Sequence, residues 1–335
     1  MTEAYARLVG ALLLVLLSTV FFTNGIEWLG HKLRLGEGAV GSTLAAWGTA
    51  LPEVLVPLVA IFSGKGTAIR QDIGVGAILG APLMLSTLAF GLLGLAVLFF
   101  SRAGLRQKRL FPRRSVGRRD LTFFVLVFAV ALGAGFLPPL GKTIVAVGLL
   151  AVYAGFVVWV IARGRGTFKE REQIPALYFQ PRGEEPSTAA VIIQVLVAFV
   201  WMVVGAEIFV GGIERLADGL GIRPFILAVL VVPLATELPE LLNSLLWLSR
   251  RKDTLAFGNV TGAMAFQASV VPAVGIMLTP WRLGPVELGS GLLALAAGGV
   301  ILRSFWLRRG ITPGILLSAG GLYLVFVFLV WGGLL

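Results

Sequence analysis

Long apolar stretches alternate with short polar connections along nearly the whole chain. Several of these stretches reach the roughly 20 apolar residues that an α-helix needs to cross a bilayer. The pattern predicts ten transmembrane helices, near residues 5–30, 38–62, 72–100, 120–138, 141–162, 188–216, 224–249, 254–279, 285–302 and 311–333. The predicted fold class is therefore an all-α polytopic membrane protein.

Composition agrees with this prediction. Of 335 residues, 57% are hydrophobic and only 13% are charged. A soluble domain of this length could not cover so much apolar surface with so few charges. The chain has no cysteine, which excludes disulfides and thiolate metal sites. Its one histidine, His31, stands beside Lys32 near a predicted helix end, and we interpret it as an interfacial residue rather than a ligand.

The distribution of positive charge predicts the topology. The net charge is +11, and most of the 28 lysines and arginines lie in alternate connections between the predicted helices. This asymmetry predicts a cell-membrane protein with both termini outside and the basic loops in the cytoplasm. The richest connection, "SRAGLRQKRLFPRRSVGRRD", is interpreted as a topology signal that touches anionic lipid. Membrane lipid is thus an expected partner, and nucleic acid is not.

The chain divides into two similar halves. A polar stretch separates five predicted helices in residues 1–162 from five in residues 188–335, and residues 163–187 are interpreted as a cytoplasmic linker with little fold of its own. The first half contains "GTALPE" followed by "GAILGA", and the second contains "ATELPE" followed by "GNVTGA". Five helices per half is an odd number, so the two repeats are predicted to be inverted across the membrane. Inverted repeats are typical of secondary transporters.

The two LPE sequences carry the candidate chemistry. Pro52 and Pro239 should break or bend their helices, because proline lacks a backbone donor and collides with the carbonyl one turn back. Glu53 and Glu240 would then lie in the first turn of each resumed helix. Freed carbonyl oxygens beside a carboxylate form the kind of oxygen cage that Ca²⁺ requires. The glycines of the two following motifs would allow close approach of a neighbouring helix.

A structural role for these glutamates must be weighed, since a glutamate after a proline is also a favourable helix N-terminal residue. However, a charge at the centre of a membrane helix costs about 2.5–3.5 kcal/mol. Glu53, Glu237 and Glu240 together would therefore cost on the order of 8–10 kcal/mol, and no Lys or Arg in these segments is available to pair with them. Function is favoured over capping. For Glu27 and Glu207, which lie nearer helix ends, the two interpretations are evenly balanced.

The stretches "GTALPEVLVPLVA" and "ATELPELLNSLLW" resemble the two alpha-repeat signatures of the sodium/calcium exchanger family. The resemblance covers about residues 25–100 and 205–280. It implies a five-plus-five helix arrangement and exchange of calcium for sodium by alternating access. It also implies that Glu53 and Glu240 bind calcium, and it matches Thr49 and Thr236 to the threonines that precede the family's glutamates.

Several positions depart from the family pattern. Glu237 replaces a serine, Gln267 replaces an asparagine or aspartate, and Asn259 alone keeps the asparagine of the GN motif. Side-chain oxygens of the family are missing at Ala50, Ala81, Leu85 and Ala263. The candidate ion-binding residues are therefore Glu53, Glu240, Glu237, Thr49, Thr236, Gln267 and Asn259.

These observations predict a secondary active cation antiporter that exports calcium in exchange for sodium or protons, with no enzymatic activity and no cofactor besides the transported cations. The counter-ion is expected to be less strictly sodium than in the family, because two adjacent carboxylates share a proton when the metal leaves. An exchanger of another cation with protons stays open, as does a non-transporting scaffold or sensor. A hydrolase is disfavoured, since the sequence has no serine–histidine, thiol or HExxH arrangement.

Overall fold

The structure is a computed structural model that describes residues 2–33, 40–63, 67–164, 175–181, 185–307 and 310–334. Within these ranges the chain is helical, without β-strands. The helices are α1 Thr2–Lys32, α2 Val40–Ser63, α3 Ala68–Met84, α4 Phe90–Arg102, α5 Arg114–Gly133, α6 Pro139–Gly164, α7 Thr188–Leu220, α8 Pro224–Thr236, α9 Leu238–Ser249, α10 Asp253–Gln267, α11 Val270–Leu278, α12 Pro285–Trp306 and α13 Pro313–Trp331. A π-helix, Leu85–Ala89, joins α3 to α4, and a 3₁₀ turn, Ala134–Phe136, follows α5.

Eight helical stretches in the described ranges are long and apolar enough to cross a membrane, and the bent pair α8–α9 raises this number to nine. The protein is thus an integral membrane protein with many helical spans, as the apolar stretches predicted. The count of ten stays a prediction, because the side chains of residues 40–50, at the start of α2, lie outside the described part of the chain.

The chain forms two compact units, one of residues 1–70 and 154–221 and the other of residues 71–153 and 222–335. In the first unit α1 and α7 pack closely, and two glycines permit this approach. A Cβ atom at Gly25 would lie 2.8 Å from Val195 Cγ2, and one at Gly205 would lie 2.9 Å from Val15 Cγ2. The predicted division into halves 1–162 and 188–335 stays a prediction.

Part of the linker is folded against this helix pair. Both Asn24 Nδ2 and Trp28 Nε1 on α1 donate hydrogen bonds to the carbonyl of Pro175, at 3.2 and 2.9 Å. The backbone N–H of Phe179 donates to Gln194 Oε1 on α7 at 2.9 Å. The interpretation of residues 163–187 as a cytoplasmic linker with little fold of its own stays a prediction, and the described segment 175–181 is bonded to α1 and α7. Polar side chains of both helices satisfy its backbone.

In the second unit, α3 packs closely against α8 through the glycines of "GAILGA". A Cβ atom at Gly76 would lie 2.7 Å from the carbonyl oxygen of Phe225, and one at Gly80 would lie 2.5 Å from that of Val229. This confirms the expected packing role of the first glycine motif. The second motif differs, because within the described residues nothing lies within 4 Å of a Cβ atom built at Gly262.

The basic connection between α4 and α5 holds the turn between α9 and α10. Arg106, whose side chain is only 3% exposed, donates to the carbonyl of Leu248 at 3.2 Å and to Asp253 Oδ1 at 2.9 Å. Asp253 Oδ2 also accepts from the backbone N–H of Phe111 at 2.8 Å. At least one arginine of this connection therefore stabilises the fold instead of touching lipid.

Candidate ion-binding site

The helix of the second LPE sequence is broken at Glu237. Helix α8 ends at Thr236, α9 begins at Leu238, and the two axes differ by 50°. Pro239 lies in the first turn of α9, where its missing N–H costs nothing. The break expected at this proline is confirmed. It places Glu237 between two helix ends, and its backbone N–H is bonded to the carbonyl of Pro233 at 2.9 Å.

The first LPE sequence behaves differently. Helix α2 runs without interruption from Val40 to Ser63, with Pro52 inside it, so of the expected break or bend a break is absent here. A bend at Pro52 stays a prediction. Glu53 follows this proline within the helix, and its side chain is buried in the structure, with 5% exposed. Thr49 lies in the same helix, but its side chain falls outside the described residues.

Glu237 and Glu240 form a carboxylate pair in the second unit. One oxygen of each lies within 4.8 Å of the other, and Glu237 is completely buried. Gln267, also completely buried, donates from Nε2 to Glu237 Oε1 at 3.0 Å. The Oε2 atom of Glu240 is buried and accepts no hydrogen bond from the described residues. Two carboxylates this close in apolar surroundings favour a bound cation, because their charges repel each other otherwise.

Helix α10 fixes the backbone beside this pair. Asn259 Nδ2 donates to the carbonyl oxygen of Glu240 at 2.9 Å and to Ser244 Oγ at 3.0 Å. Ser244 in turn donates to the same carbonyl at 2.8 Å. Asn259 thus holds α9 in place through its amide nitrogen. The hydroxyl of Thr236 donates within its own helix, to the carbonyl of Val232 at 3.3 Å.

Helical irregularities occur at matching positions of the two glycine motifs. The π-helix begins at Leu85, nine residues after Gly76, and α10 ends at Gln267, nine residues after Gly258. A π-helix such as the first is frequent at functional sites. The apolar pattern did not predict either irregularity, although polar residues, Ser86 and Thr87 in the first and Gln267 and Ser269 in the second, interrupt both stretches.

Two further polar residues were missed from the sequence. Ser244, four residues after Glu240, is completely buried beside Asn259. Asp120 is 2% exposed on α5 and accepts a hydrogen bond from Thr261 of α10. Both are polar residues in otherwise apolar helices, and that contrast was the available signal.

Glu207 has a partner. Arg70 donates from Nη1 to Glu207 Oε1 at 2.8 Å and from Nε to Glu214 Oε2 at 3.2 Å, and the Ser63 hydroxyl also donates to Glu207. The Glu207 side chain is 42% exposed. These contacts favour the structural interpretation of Glu207. Glu27, on α1, is partly buried.

Comparison with known proteins identifies the family. The sequence profile of the family described as "Sodium/calcium exchanger protein" matches residues 3–162 and 190–332. The chain is 24% identical over 334 residues to the inner membrane protein YrbG of Escherichia coli, covering 99% of this chain and 96% of that protein. It is 26% identical over 310 residues to the putative antiporter CaxA of Alkalimonas amylolytica, covering 90% and 89%.

The fold also matches a solved structure. The crystal structure of the H⁺/Ca²⁺ exchanger CAX superposes with a TM-score of 0.71 at 18% identity, covering 98% of this chain and 82% of that one. At this identity the likeness concerns the fold alone. The family assignment comes from the profile, which matches both halves of the chain and thus includes both LPE sequences. The chain therefore belongs to the sodium/calcium exchanger protein family.

Proposed function

We propose that this protein is a secondary active antiporter that exports Ca²⁺ in exchange for Na⁺ or H⁺ by alternating access. The observation that carries the proposal is the buried pair Glu237–Glu240 at a break in a membrane-spanning helix. Such a break exposes backbone carbonyls beside the carboxylates, and transporters commonly bind their ions at interrupted helices. The hard Ca²⁺ ion suits an all-oxygen site of this kind.

Glu53 is the proposed contribution of the first half. It stands in the same LPE context as Glu240, it is buried, and the resemblance to the family assigns both residues to calcium. In this proposal Thr49 and Thr236 add oxygen ligands from the preceding turns. Gln267 supports the site from α10 through its hydrogen bond to Glu237.

Asn259 is proposed to act on the site through the backbone. Its amide holds the carbonyl of Glu240 and the hydroxyl of Ser244. Because this fixes the first turns of α9, loss of Asn259 should change the geometry of the Glu240 carboxylate. The proposed role of Asn259 is therefore to position the Glu240 carboxylate.

The orientation is also part of the proposal. The two halves, residues 1–162 and 188–335, form inverted repeats, with both termini outside the cell and the basic loops in the cytoplasm. The concentration of Lys and Arg in alternate connections supports this arrangement.

Flux through purified protein in liposomes tests the function. Vesicles loaded with radioactive Ca²⁺ are diluted into buffers that impose either a Na⁺ gradient or a pH gradient, but not both. Efflux that depends on one of these gradients supports antiport and identifies the counter-ion. Competition by other cations identifies the cargo, and exchange of a different cation with H⁺ would replace the calcium assignment.

The variant Glu237→Ser tests the proton coupling. It restores the residue that the family has at this position and removes one of the two adjacent carboxylates. If efflux driven by a pH gradient is lost while efflux driven by Na⁺ remains, Glu237 couples transport to protons. Absence of any cation flux in folded wild-type protein would instead favour a scaffold or sensor.

A further inference from the structure

Asp120 is a buried carboxylate that lies outside the proposed ion ligands. Asp120, on α5, is 2% exposed and belongs to a candidate membrane span of residues 114–136. Its Oδ2 atom accepts a hydrogen bond from the hydroxyl of Thr261 at 2.9 Å, and its Oδ1 atom accepts one from Arg119 Nε at 2.6 Å. Arg119 pairs with the charge of Asp120 within α5, and the hydrogen bond from Thr261 connects the same carboxylate to a second helix.

Thr261 connects Asp120 to the site. It lies in α10 between Asn259 and Gln267, the two residues of that helix that hold α9 and Glu237. Successive residues of an α-helix are rotated by about 100°, so Thr261 and Asn259 point to roughly opposite sides of α10. The helix is thus held between α5 on one side and α9 on the other.

The distances along α10 show why this contact matters. Its first residue, Asp253, is fixed by Arg106 at the turn. Thr261 lies about 12 Å further along the axis, and Gln267 another 9 Å or so beyond it, at about 1.5 Å per residue. Without the contact at Thr261, the polar restraints that remain on α10 at this depth come from α9 itself. The far end, which carries Gln267, would then be held on the α5 side by apolar packing alone.

We propose that Asp120 is a positioning residue for the cation site, which acts through Thr261 to keep α10 in the register that aligns Asn259 and Gln267 with α9. The inference rests on the proposed function for the location of the site on α9 and α10. The α5–α10 contact itself is independent of that function. An apolar side chain at position 120 would remove the acceptor on α5, and the Thr261 hydroxyl would then bond only within its own helix, to the carbonyl of Phe257 at 3.2 Å.

Four variants test the inference in two measurements. Asp120→Leu and Thr261→Val remove the hydrogen bond, whereas Asp120→Asn and Thr261→Ser keep an acceptor or a donor. The first measurement is hydrogen–deuterium exchange of residues 253–267 in detergent, which needs no transport. The second is the Ca²⁺ concentration that half-saturates uptake into liposomes, measured separately from the maximal rate.

We expect faster exchange in the second half of α10 and about a tenfold rise in half-saturating Ca²⁺ for Asp120→Leu and Thr261→Val. Tenfold corresponds to about 1.4 kcal/mol, near the lower end for a hydrogen bond to a charged group. Asp120→Asn and Thr261→Ser should recover most of the affinity. Asp72→Asn is the matched control, because Asp72 lies in the same unit and faces Arg223, at 3.4 Å.

Unchanged exchange and unchanged half-saturation in Thr261→Val would overturn the proposal, and this variant serves even if Asp120→Leu does not fold. Loss of transport in Asp120→Asn as complete as in Asp120→Leu would also overturn it, since it would assign the charge itself a direct role. If wild-type protein carries no Ca²⁺ but α10 exchanges faster in Thr261→Val, the restraint stands and the proposed function has failed.

Discussion

Replacing Glu240 by glutamine separates an ion ligand from a helix cap. The amide has nearly the same shape as the carboxylate and keeps one oxygen, but it carries no charge. Within the described residues, Glu240 Oε2 is buried and accepts no hydrogen bond. The contacts that anchor this residue use its backbone carbonyl, which receives hydrogen bonds from Asn259 and Ser244 and is not affected by the change.

The expected effects on stability and on binding therefore have opposite signs. Free of Ca²⁺, the folded protein loses a buried charge beside Glu237, so its midpoint of thermal unfolding should stay constant or rise. Removing a charged partner from a buried ionic contact costs about 3–5 kcal/mol. Each 1.4 kcal/mol or so is a factor of ten, so Glu240→Gln should weaken Ca²⁺ binding by at least about a hundredfold.

The assay compares thermal unfolding of purified wild type and variant across a Ca²⁺ titration, together with radioactive Ca²⁺ uptake into liposomes. Wild-type protein should be stabilised by Ca²⁺, since a ligand that binds only the folded state raises its stability by mass action. Glu240→Gln should show neither this shift nor uptake.

Glu287→Gln is the matched control. Glu287 is a buried carboxylate of the same unit, and its partner is Arg223. Its loss should lower the unfolding midpoint and leave the Ca²⁺ shift intact. Normal uptake and a normal Ca²⁺ shift in folded Glu240→Gln would refute the assignment of Glu240 to the ion.

Three other predictions follow from the structure and the charge pattern. Single cysteines in predicted cytoplasmic loops should react only from the cytoplasm, at positions Arg109, Phe179 and Lys252. A cysteine at Gly66 should react only from outside, and labelling of Gly66 and Arg109 from one side would contradict the inverted repeats. Arg106→Met should destabilise the protein by about 3–5 kcal/mol in thermal unfolding, because it leaves Asp253 without its buried partner. Glu207→Gln should cost no more than about 1 kcal/mol and retain Ca²⁺ flux, because its contact with Arg70 is half exposed; loss of flux in folded protein would restore a functional role for Glu207.

The sequence predicted those features that depend on neighbouring residues. Runs of about 20 apolar residues are sufficient to identify spans, and the predicted positions agree with the helices of the structure to within a few residues at most ends. The break before Pro239 was predicted for the same reason, since proline acts on the turn that precedes it. The candidate glutamates stood out because charge is rare in apolar segments.

Pro52 shows where local reasoning stops. It has the same neighbours, leucine and glutamate, as Pro239, yet α2 continues through it and α8 ends before Pro239. A proline inside a helix costs a few kcal/mol, about 3 or more. Packing around the helix can offset this cost at one position and fail to offset it at another. The sequence motif is thus the same, and the tertiary environment decides between a continuous and a broken helix.

Side-chain partners were beyond the reach of the sequence. Arg70 and Glu207 are in contact although 137 positions separate them in the sequence, and Asp120 and Thr261 are in contact although 141 positions separate them. The apolar pattern tells which residues are in the membrane, but many pairings of polar groups satisfy it equally well. Helix packing selects among these pairings, because a buried polar group needs a hydrogen-bond partner and only the neighbouring helix can supply it. The sequence by itself therefore determined the spans and the candidate ligands, and only the tertiary structure decided that Glu207 is paired and that Gln267 holds Glu237.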